Sequence, residues 1–475
     1  MDASGEPIAL ADVFALKPSY QEGQRFLTQV LSAKTDERGE FRIFWITPGL
    51  YYVNVIVPEG TSSLNLITNT DGDDSAAMVL NRRVLRDDLS HLFVSSVAEN
   101  EAHVPIYYPN TPNPQQAQAI DVRPGYDIKG INLIADVART FRVRGVITNG
   151  VTGELPAGNN ALAVLLPLDS AGNSYSAVID SGSNPFKFEI KRVVPGSYFL
   201  YVQIKLSAKA DPAGALWGGS MPLEVTQDVE NISIPVKPSF SLHGNVIVEG
   251  RPDIGGVSSA AGLFLAMRPD PFMTPQAPSP STRVLPDGTF NLSGIIAGGY
   301  RAYVFPFLIP TTNPGLLWGL PPAPAGLQDT YVKSIRVGAA DILGSAVHLI
   351  ATENLPMEIV LGANPGALAG RVMRTEDGKQ VPAFGITVGA VPDAPAARGF
   401  RTDMHRSTLT DGIGTFQFRN LPPGDYRLFA WEAADKDTVM DLDFIRTSED
   451  KGTRVHIDEG EKKTIELAMI PERIR

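Results

Sequence analysis

Short runs of alternating apolar and polar residues recur four times along this chain, always with the same internal spacing. Each copy begins with Phe and an apolar residue two positions later, continues through a Gly-x-Tyr step, and ends in further alternation. Ten residues separate the Phe from the Tyr in each pair, namely Phe41 and Tyr51, Phe188 and Tyr198, Phe290 and Tyr300, and Phe416 and Tyr426. A repeat with a constant register indicates an array of similar small units rather than one large catalytic domain.

The alternation predicts that each copy is a strand, a tight turn and a second strand. A period of two places every second side chain on a buried face, which is typical of strands. Pro-Gly pairs supply the turn in three copies, because Pro fixes φ and Gly tolerates positive φ; they stand at 48–49, 195–196 and 423–424. Turns with hairpin composition precede three of the Phe strands, at 36–39, 287–288 and 411–414.

The recurring Tyr is predicted to be structural rather than catalytic. A Tyr placed at the corner of a β-sandwich buries its ring and donates its hydroxyl to a backbone carbonyl. We expect this arrangement in all four copies.

Two further phrases complete the predicted unit. Copies two to four are preceded by an apolar-x-Gly-x pattern that we interpret as an opening strand, around Gly145, Gly244 and Gly370. Each copy is followed by a closing alternating segment, at 128–133, 232–236, 357–361 and 465–467. Many short strands with 44 Gly and 38 Pro favour β-sandwiches. The predicted fold class is all-β, with four tandem antiparallel sandwiches of prealbumin-like, Greek-key type.

These phrases resemble carboxypeptidase regulatory-like domains, which are also described as prealbumin-like or carbohydrate-binding-like. The run at 416–428, with its Leu-Pro-Pro-Gly-x-Tyr step, carries the resemblance best, together with the Gly-x-Val strand and the Asp-Gly turn. Segments 107–109, 120–125 and 331–335 are similar to tandem arrays of such domains in large bacterial extracytoplasmic proteins. The resemblance implies the fold and an extracytoplasmic location, in the periplasm or at the cell surface. It implies no peptidase activity, because function resides in sites rather than in folds.

The repeated phrases predict units at 1–137, 138–237, 238–363 and 364–475, joined by short seams that favour a rod or a bent string. The first unit lacks an opening strand, so the sequence predicts either a fragment or a start codon assigned too late. It also carries a long insertion, from about 60 to 105, in which residues 79–92 are a candidate short helix. No signal peptide or apolar stretch of membrane-spanning length is present in the sequence, so this chain is expected not to insert into a membrane.

Charge and composition exclude several classes of function. The net charge is −11, and Lys and Arg are dispersed, which argues against binding to nucleic acid or anionic membranes. Cysteine is absent, so disulfides and thiolate metal sites are excluded. The six His residues have no zinc-ligand spacing, and no nucleophile elbow or phosphate loop is found. The acidic run at 69–74 does not match a calcium loop and is interpreted as a plain turn.

Two tryptophans are the candidate ligand-binding residues. Trp217 and Trp318 follow the Tyr of copies two and three by 19 and 18 residues, each between Gly residues in equivalent loops. Loop aromatics can stack on sugars or anchor protein partners, since they bring a large apolar area at a small entropic cost. The alternative is that each ring caps its own sandwich or packs at the seam with the next unit.

The sequence therefore predicts a non-catalytic extracytoplasmic array that serves as a scaffold, an adhesion surface or a binding surface. The expected partner is a polysaccharide or a cell-envelope protein, and neither a cofactor nor a metal is expected. The alternative is a hydrolase fragment, or an accessory region of a larger envelope protein or peptidase, whose acid and base residues meet only in space.

Overall fold

The computed structural model is built almost entirely of strands. Strands account for 56% of the structure and helices for 6%, so the prediction of an all-β protein is confirmed. The residues that the structure describes are 1–21, 23–57, 98, 100–151, 154–155, 159–168, 174–206, 216–251, 258–270, 279–307, 327, 329–351 and 355–471. The boundaries of the four units stay predictions.

The first predicted unit is a sheet built around its Tyr strand. Its strands are β1 (Asp12–Gln21), β2 (Gln24–Lys34), β3 (Gly49–Ile56), β4 (Glu101–Val104), β5 (Ile106–Tyr107), β6 (Ile120–Val122) and β7 (Asp136–Arg139). The Tyr strand β3 pairs antiparallel with β1, β5 and β6, and β1 pairs with β2. A separate ribbon of β4 and β7 runs across the seam into the second unit.

The second unit places two sheets around an apolar core that includes Ile147, Ile190 and Leu200. Its strands are β8 (Phe141–Asn149), β9 (Asn159–Pro167), β10 (Tyr175–Ser176), β11 (Val178–Asp180), β12 (Phe186–Val193), β13 (Gly196–Leu206), β14 (Leu216–Val225) and β15 (Val229–Pro238). One sheet has the order β10-β9-β13-β14 and the other β15-β8-β12-β11. A short pairing of β14 with β15 joins the two sheets at Trp217 and Gly218.

The third unit repeats this plan around its own core. Its strands are β16 (Phe240–Val248), β17 (Phe264–Pro269), β18 (Ser281–Arg283), β19 (Thr289–Ile295), β20 (Gly298–Phe305), β21 (Thr330–Val337), β22 (Ala340–Asp341), β23 (Val347–Leu349) and β24 (Met357–Ala363). The two sheets have the orders β19-β16-β24-β21-β22 and β18-β17-β20-β23.

The fourth unit also encloses its own core and adds one short helix. Its elements are β25 (Gly366–Glu376), β26 (Lys379–Pro382), β27 (Thr387–Pro392), β28 (Arg406–Leu409), β29 (Thr415–Leu421), β30 (Gly424–Trp431), α1 (Leu442–Thr447), β31 (Thr453–Ile457) and β32 (Lys462–Ala468). Asp441 caps the N-terminus of the helix: its carboxylate accepts a hydrogen bond from the Phe444 amide and satisfies one of the free amides of the first turn.

The opening strand is central in units two to four. In each unit it lies between the Phe strand, which is antiparallel to it, and the closing strand, which is parallel to it. Its Gly sits against both neighbours. A Cβ at Gly370 would lie 2.3 Å from the carbonyl oxygen of Ile465 and 2.6 Å from the ring of Phe416. The corresponding carbonyl oxygens would lie 2.3 Å from a Cβ at Gly145 and 2.1 Å from one at Gly244. Only Gly fits this position.

The corner role predicted for the recurring Tyr is confirmed in all four copies. Every Tyr ring is at least 94% buried, and every hydroxyl donates to the carbonyl oxygen four residues earlier. The donor–acceptor distances are 2.8 Å for Tyr51, 2.9 Å for Tyr198, 2.8 Å for Tyr300 and 2.6 Å for Tyr426. This bond closes the turn between the Phe strand and the Tyr strand.

In the first unit, two of the predicted strands are absent from the structure. Residues 41–44 are not in a strand, although the sequence predicts one there, and the closing segment at 128–133 is not in a strand either. The physical reason is that both segments pair with the opening strand in the other units, and the first unit has no such strand between them. The prediction that the opening strand is missing explains both departures.

The long β1–β2 hairpin of the first unit packs against the fourth unit. Tyr20, near the hairpin tip, is 6% exposed and belongs to an apolar cluster with Phe429 and Trp431. A Cβ at Gly23 would lie 2.4 Å from the side chain of Leu442. Because the first and fourth units are in contact, the array is not a straight rod. Of the two predicted shapes, a rod or a bent string, only the bent string is compatible with this contact.

Three sequence predictions lie outside the described residues. They are the candidate helix at 79–92, the acidic turn at 69–74 and the ligand-binding role of Trp318. All three stay predictions.

The Gly of the opening strand should not tolerate a side chain. We expect Gly370→Val to lower the free energy of unfolding by about 2–3 kcal/mol, because its Cβ meets a backbone oxygen that cannot move aside. Gly412→Ala is the matched control, since a Cβ there meets nothing within 4 Å, and it should change the stability by less than about 0.5 kcal/mol. Urea unfolding of both variants measures the difference; equal stabilities would contradict the packing argument.

The corner hydroxyl should stabilise the fold measurably. Tyr426→Phe leaves the buried carbonyl oxygen of Pro422 without its donor, and we expect a loss of about 1–3 kcal/mol in the free energy of unfolding. Tyr126→Phe provides the control, because Tyr126 is 75% exposed. If Tyr126→Phe shifts the urea midpoint as much as Tyr426→Phe does, the corner hydrogen bond does not supply the predicted stabilisation.

Candidate functional site

The first unit exposes a group of aromatic side chains that the sequence analysis did not select. Trp45 is 96% exposed, Phe44 is 58% exposed and Tyr126 is 75% exposed. Phe44 and Trp45 directly follow the segment that matches the Phe strand of the other units. We refer to Phe44, Trp45 and Tyr126 as the aromatic surface. Large exposed apolar side chains in a group are typical of interaction sites.

The position of Trp45 is fixed by the backbone of the repeat. The residue four places after the Phe has positive φ in every copy, with values of 57° for Trp45, 57° for Arg192, 81° for Gly294 and 54° for Asn420. Positive φ is uncommon for residues other than Gly, and Trp is unfavourable there. The signal that sequence reasoning missed is therefore a Trp at a position where the other copies have Arg, Gly and Asn.

A charged pair holds the two segments of the aromatic surface together. The Arg42 guanidinium lies 5.0 Å from the centre of the Phe44 ring and 3.3 Å from the carboxylate of Asp127. Asp127 follows Tyr126 in the chain, so this ion pair links the two aromatic segments. A second pair, Arg123 with Asp121 at 2.7 Å, lies on the same stretch of chain. Arg42 and Arg123 are each paired with a carboxylate, so these four side chains together carry no net charge.

Trp217, one of the two tryptophans predicted from sequence, lies at a seam between units. The prediction that Trp217 lies in a loop is wrong: it is on β14, is half-buried, and packs against the core of the second unit. Its neighbours in the chain contact the third unit: a Cβ on Gly218 would lie 3.1 Å from Ile296, and the Leu216 side chain lies beside Gly294. The structure does not bring Trp217 to the aromatic surface of the first unit.

An open cleft of about 550 Å³ on the second unit is lined by Arg144, Glu189 and Glu230. Arg144 on β8 donates to Glu189 at 2.7 Å and to Glu230 at 3.1 Å. The hydrogen bond from Arg144 holds the pKa of the Glu189 carboxyl below its usual range. Glu189 is therefore an acceptor held in its charged form, and Glu230 is paired with the same guanidinium. A carboxyl with a lowered pKa is unsuited to the group of a hydrolase that holds a proton.

A His with two carboxylates occurs on the fourth unit, at its exposed edge. His456 on the edge strand β31 hydrogen-bonds Asp425 at 2.7 Å and Asp458 at 3.2 Å. The two carboxylates raise the pKa of His456, first through the Asp425 hydrogen bond. The group is an exposed ion triad on the edge strand of this sheet.

The fourth unit also buries a polar cluster under its second sheet. Arg398 donates to Glu449 at 2.7 Å, and Arg427 donates to Asp393 at 2.7 Å. Within the cluster His405 is 7% exposed, with its Nδ1 2.8 Å from the carbonyl oxygen of Val439 and its Nε2 3.0 Å from that of Arg398. Burial lowers the pKa of His405 to about 4, against the opposing effect of both carbonyls. The cluster fastens the 393–405 segment to the sheet, and we interpret it as structural.

Metal and membrane features are not found in the described part of the chain. Among the residues that the structure describes, no group of three His, Asp or Glu side chains is arranged to hold a metal ion. No helix within the described ranges has the length and hydropathy needed to cross a bilayer.

Comparison with known proteins gives only distant likenesses. No protein-family model and no curated protein matches this sequence. Among solved structures, a streptococcal ancillary pilin is 11% identical, with a TM-score of 0.23, covering 71% of this chain and all of its own. A minor pilin of Streptococcus agalactiae is 11% identical (TM-score 0.24), covering 49% of this chain and 98% of its own. The Bacillus anthracis TIE protein is 9% identical (TM-score 0.16), covering 97% of this chain and 68% of its own. TM-scores this low support no conclusion about the function of this chain.

The two histidines of the fourth unit should titrate on opposite sides of the ordinary His pKa of 6.5. Between about pH 6.5 and 4, His405 is protonated in the unfolded chain and neutral in the folded chain. Acidification through this range therefore favours the unfolded chain, and the free energy of unfolding should fall by up to about 1.4 kcal/mol per pH unit. The stabilising contribution of His456 has the opposite sign: it is complete below pH 6.5 and is lost as the pH rises through its raised pKa.

Histidine NMR titration of the folded protein measures both pKa values directly. The control for stability is His456→Asn, which should keep the acid loss caused by His405. A His405 resonance that titrates at or above pH 6.5 would contradict its burial in the neutral form.

Proposed function

We propose that this chain is a non-catalytic, extracytoplasmic array of β-sandwiches that binds a neutral polysaccharide through the aromatic surface of its first unit. The observation that carries the proposal is Trp45, whose ring is 96% exposed at a backbone position unfavourable for Trp. A protein keeps a large ring in such a position at a cost to stability, and such positions are concentrated at functional sites.

The chemistry of the aromatic surface suits a neutral sugar polymer. Exposed rings offer apolar area that stacks on the C–H faces of sugars, and rigid aromatic side chains lose little conformational entropy on binding. The guanidinium of Arg42 and the carboxylate of Asp127 are positioned beside the rings to hydrogen-bond hydroxyl groups. Because these charges are paired, and because the chain has a net charge of −11, an anionic polymer would gain no general attraction.

The repeated architecture supports a scaffold role. The second, third and fourth units each bury a core of their own, and the same Tyr corner and Gly position recur in them. Such an array of similar units can hold a binding surface at a distance. The charged clusters described above in the second and fourth units consist of ion pairs, such as Arg144 with Glu189 and Arg398 with Glu449. The ligand-binding roles of Trp217 and Trp318 stay predictions, and an envelope protein is the other partner class that the sequence predicts.

A screen of the purified chain against neutral polysaccharides tests the proposal. We expect binding that Trp45→Ala weakens by about tenfold or more, which corresponds to about 1.4 kcal/mol. Trp217→Ala is the matched control, because its ring is half-buried at a seam, and it should bind as the unaltered protein does. Binding lost in Trp217→Ala and kept in Trp45→Ala would move the site to the seam. Binding of no polysaccharide by the unaltered chain would overturn the proposed partner.

A further inference from the structure

The fourth unit has a second apolar cluster that is separate from the core of its sandwich. On β30, Leu428 and Ala430 belong to the core, whereas Phe429 and Trp431 belong to the second cluster, on the opposite face of the sheet. The Phe429 and Trp431 rings are stacked with their centres 4.9 Å apart, and they are 1% and 3% exposed. Side chains of residues 439–445, which include the start of α1, pack with these rings. We call this group the outer cluster.

One side chain of the first unit is built into the outer cluster. Tyr20, near the tip of the β1–β2 hairpin, is 6% exposed, and among the described residues it is the only member of the cluster from outside the fourth unit. Burial raises the pKa of the Tyr20 hydroxyl, and so does the Asp441 carboxylate, to which the hydroxyl is hydrogen-bonded. At the tip itself, Gly23 lies against the Leu442 side chain. The hairpin is therefore held by one buried ring, one hydrogen bond and the contact of its turn.

The charges around Tyr20 are complementary. The charged side chains of the hairpin that lie nearest to Tyr20 in the chain are both basic, namely Lys17 and Arg25. Segment 435–443 of the fourth unit carries four Asp and one Lys. Partial burial raises the pKa of Asp437 and Lys17 opposes this effect, so the Lys17 ammonium stabilises the carboxylate across the contact. An apolar centre with a charged rim is typical of an interface between two separately folded parts.

The hairpin can leave the fourth unit without opening the core of either unit. Among the described residues, the core of the fourth sandwich is formed by residues between 368 and 469, and the core around β3 in the first unit by residues between 8 and 133. Tyr20 belongs to neither core. Interfaces between units of one chain permit relative motion unless they are large and hydrophobic. Here a single buried ring provides most of the apolar contact, so the interface is of the kind that opens.

We propose that the β1–β2 hairpin is a latch that closes the array reversibly. In the closed form, Tyr20 lies in the outer cluster and the first and fourth units are in contact. In the open form, the hairpin leaves the cluster, the sandwiches stay folded, and the array extends. Opening therefore moves the aromatic surface of the first unit away from the fourth unit. Trp45 is not a member of the outer cluster, so the latch does not depend on polysaccharide binding.

A disulfide that forms only in the closed form tests the latch. The chain contains no Cys, so Gly23→Cys/Leu442→Cys introduces a single pair. A Cβ at residue 23 would lie 2.7 Å from Leu442 Cγ, the position that a Cys Sγ takes, which is close enough for a disulfide. We expect oxidation to join the two residues within one chain. Adding Tyr20→Ala lowers the population of the closed form and should slow the oxidation by about tenfold or more.

Small-angle X-ray scattering measures the same opening in the chain without Cys. Tyr20→Ala removes the buried ring and Lys17→Glu places like charges together at Asp437, so both should increase the radius of gyration. Val30→Ala is the control on the same hairpin, because Val30 is 45% exposed. Arg38→Glu makes the same change of charge as Lys17→Glu at a side chain that is 76% exposed. Both controls should keep the radius of gyration of the unaltered protein, as should the oxidised pair.

Four results would overturn the latch. They are the failure of Gly23→Cys/Leu442→Cys to form a disulfide with Tyr20 intact, a disulfide that joins two chains, an oxidation rate that Tyr20→Ala leaves unchanged, and equal radii of gyration for all variants. Circular dichroism of Tyr20→Ala should show intact strands, and a loss of strand signal would mean that the ring belongs to a core and would also contradict the latch. Neither experiment uses a polysaccharide, so its outcome is independent of the proposed binding at Trp45.

Discussion

The close approach of three strands at one glycine governs the architecture of this chain. In a complete unit the opening strand passes between a parallel closing strand and an antiparallel Phe strand, and a Phe ring lies over the backbone at the Gly. At Gly370 a side chain would meet the carbonyl oxygen of Ile465 at 2.3 Å, a distance that no rotamer change relieves. The ring of Phe416 fills the volume that a side chain would have taken. Backbone pairing and core packing therefore depend on the same residue, and the unit needs all three strands together.

The first unit shows what remains when one of the three strands is lacking. The sheet that contains the Tyr strand persists, with Tyr51 closing its corner as in the other copies, because those contacts do not involve the opening strand. The other sheet does not form between Phe41 and Leu133. Phe41 and Ile43 are half-buried there, whereas Phe416 and Phe418 in the fourth unit are 5% and 4% exposed. Phe44 and Trp45 of the aromatic surface directly follow Phe41 and Ile43 in the chain.

The sequence predicted the repeated elements well because each of them is determined by residues that lie close together in the chain. Alternation, Asp turns with positive-φ Gly at 39, 288 and 414, and the Tyr corner all follow from nearest neighbours in the chain. The absence of an opening strand was also visible, because the apolar-x-Gly-x pattern occurs only three times. Its consequence for the flanks was not foreseen, since residues 41–44 and 128–133 carry strand patterns and lose their ladders only through a partner distant in sequence. Three other features depend on tertiary structure in the same way. They are the packing of Tyr20 beside Trp431, the seam position of Trp217 and the exposure of Trp45. An alternating pattern does not say which unit lies against which.

Hydrogen exchange along the backbone tests the central claim, that the first unit lacks its central strand, most directly. The Phe strand of the fourth unit, Thr415–Leu421, is paired with β25, and its amides should exchange slowly. The corresponding amides at 41–44 in the first unit have no backbone partner among the described residues and should exchange orders of magnitude faster, near the rate of an open chain. Segment 128–133 should exchange fast relative to β32 in the same experiment. Equal protection of 41–44 and 415–421 in the purified chain would mean that a strand already fills the first unit, and would contradict this account.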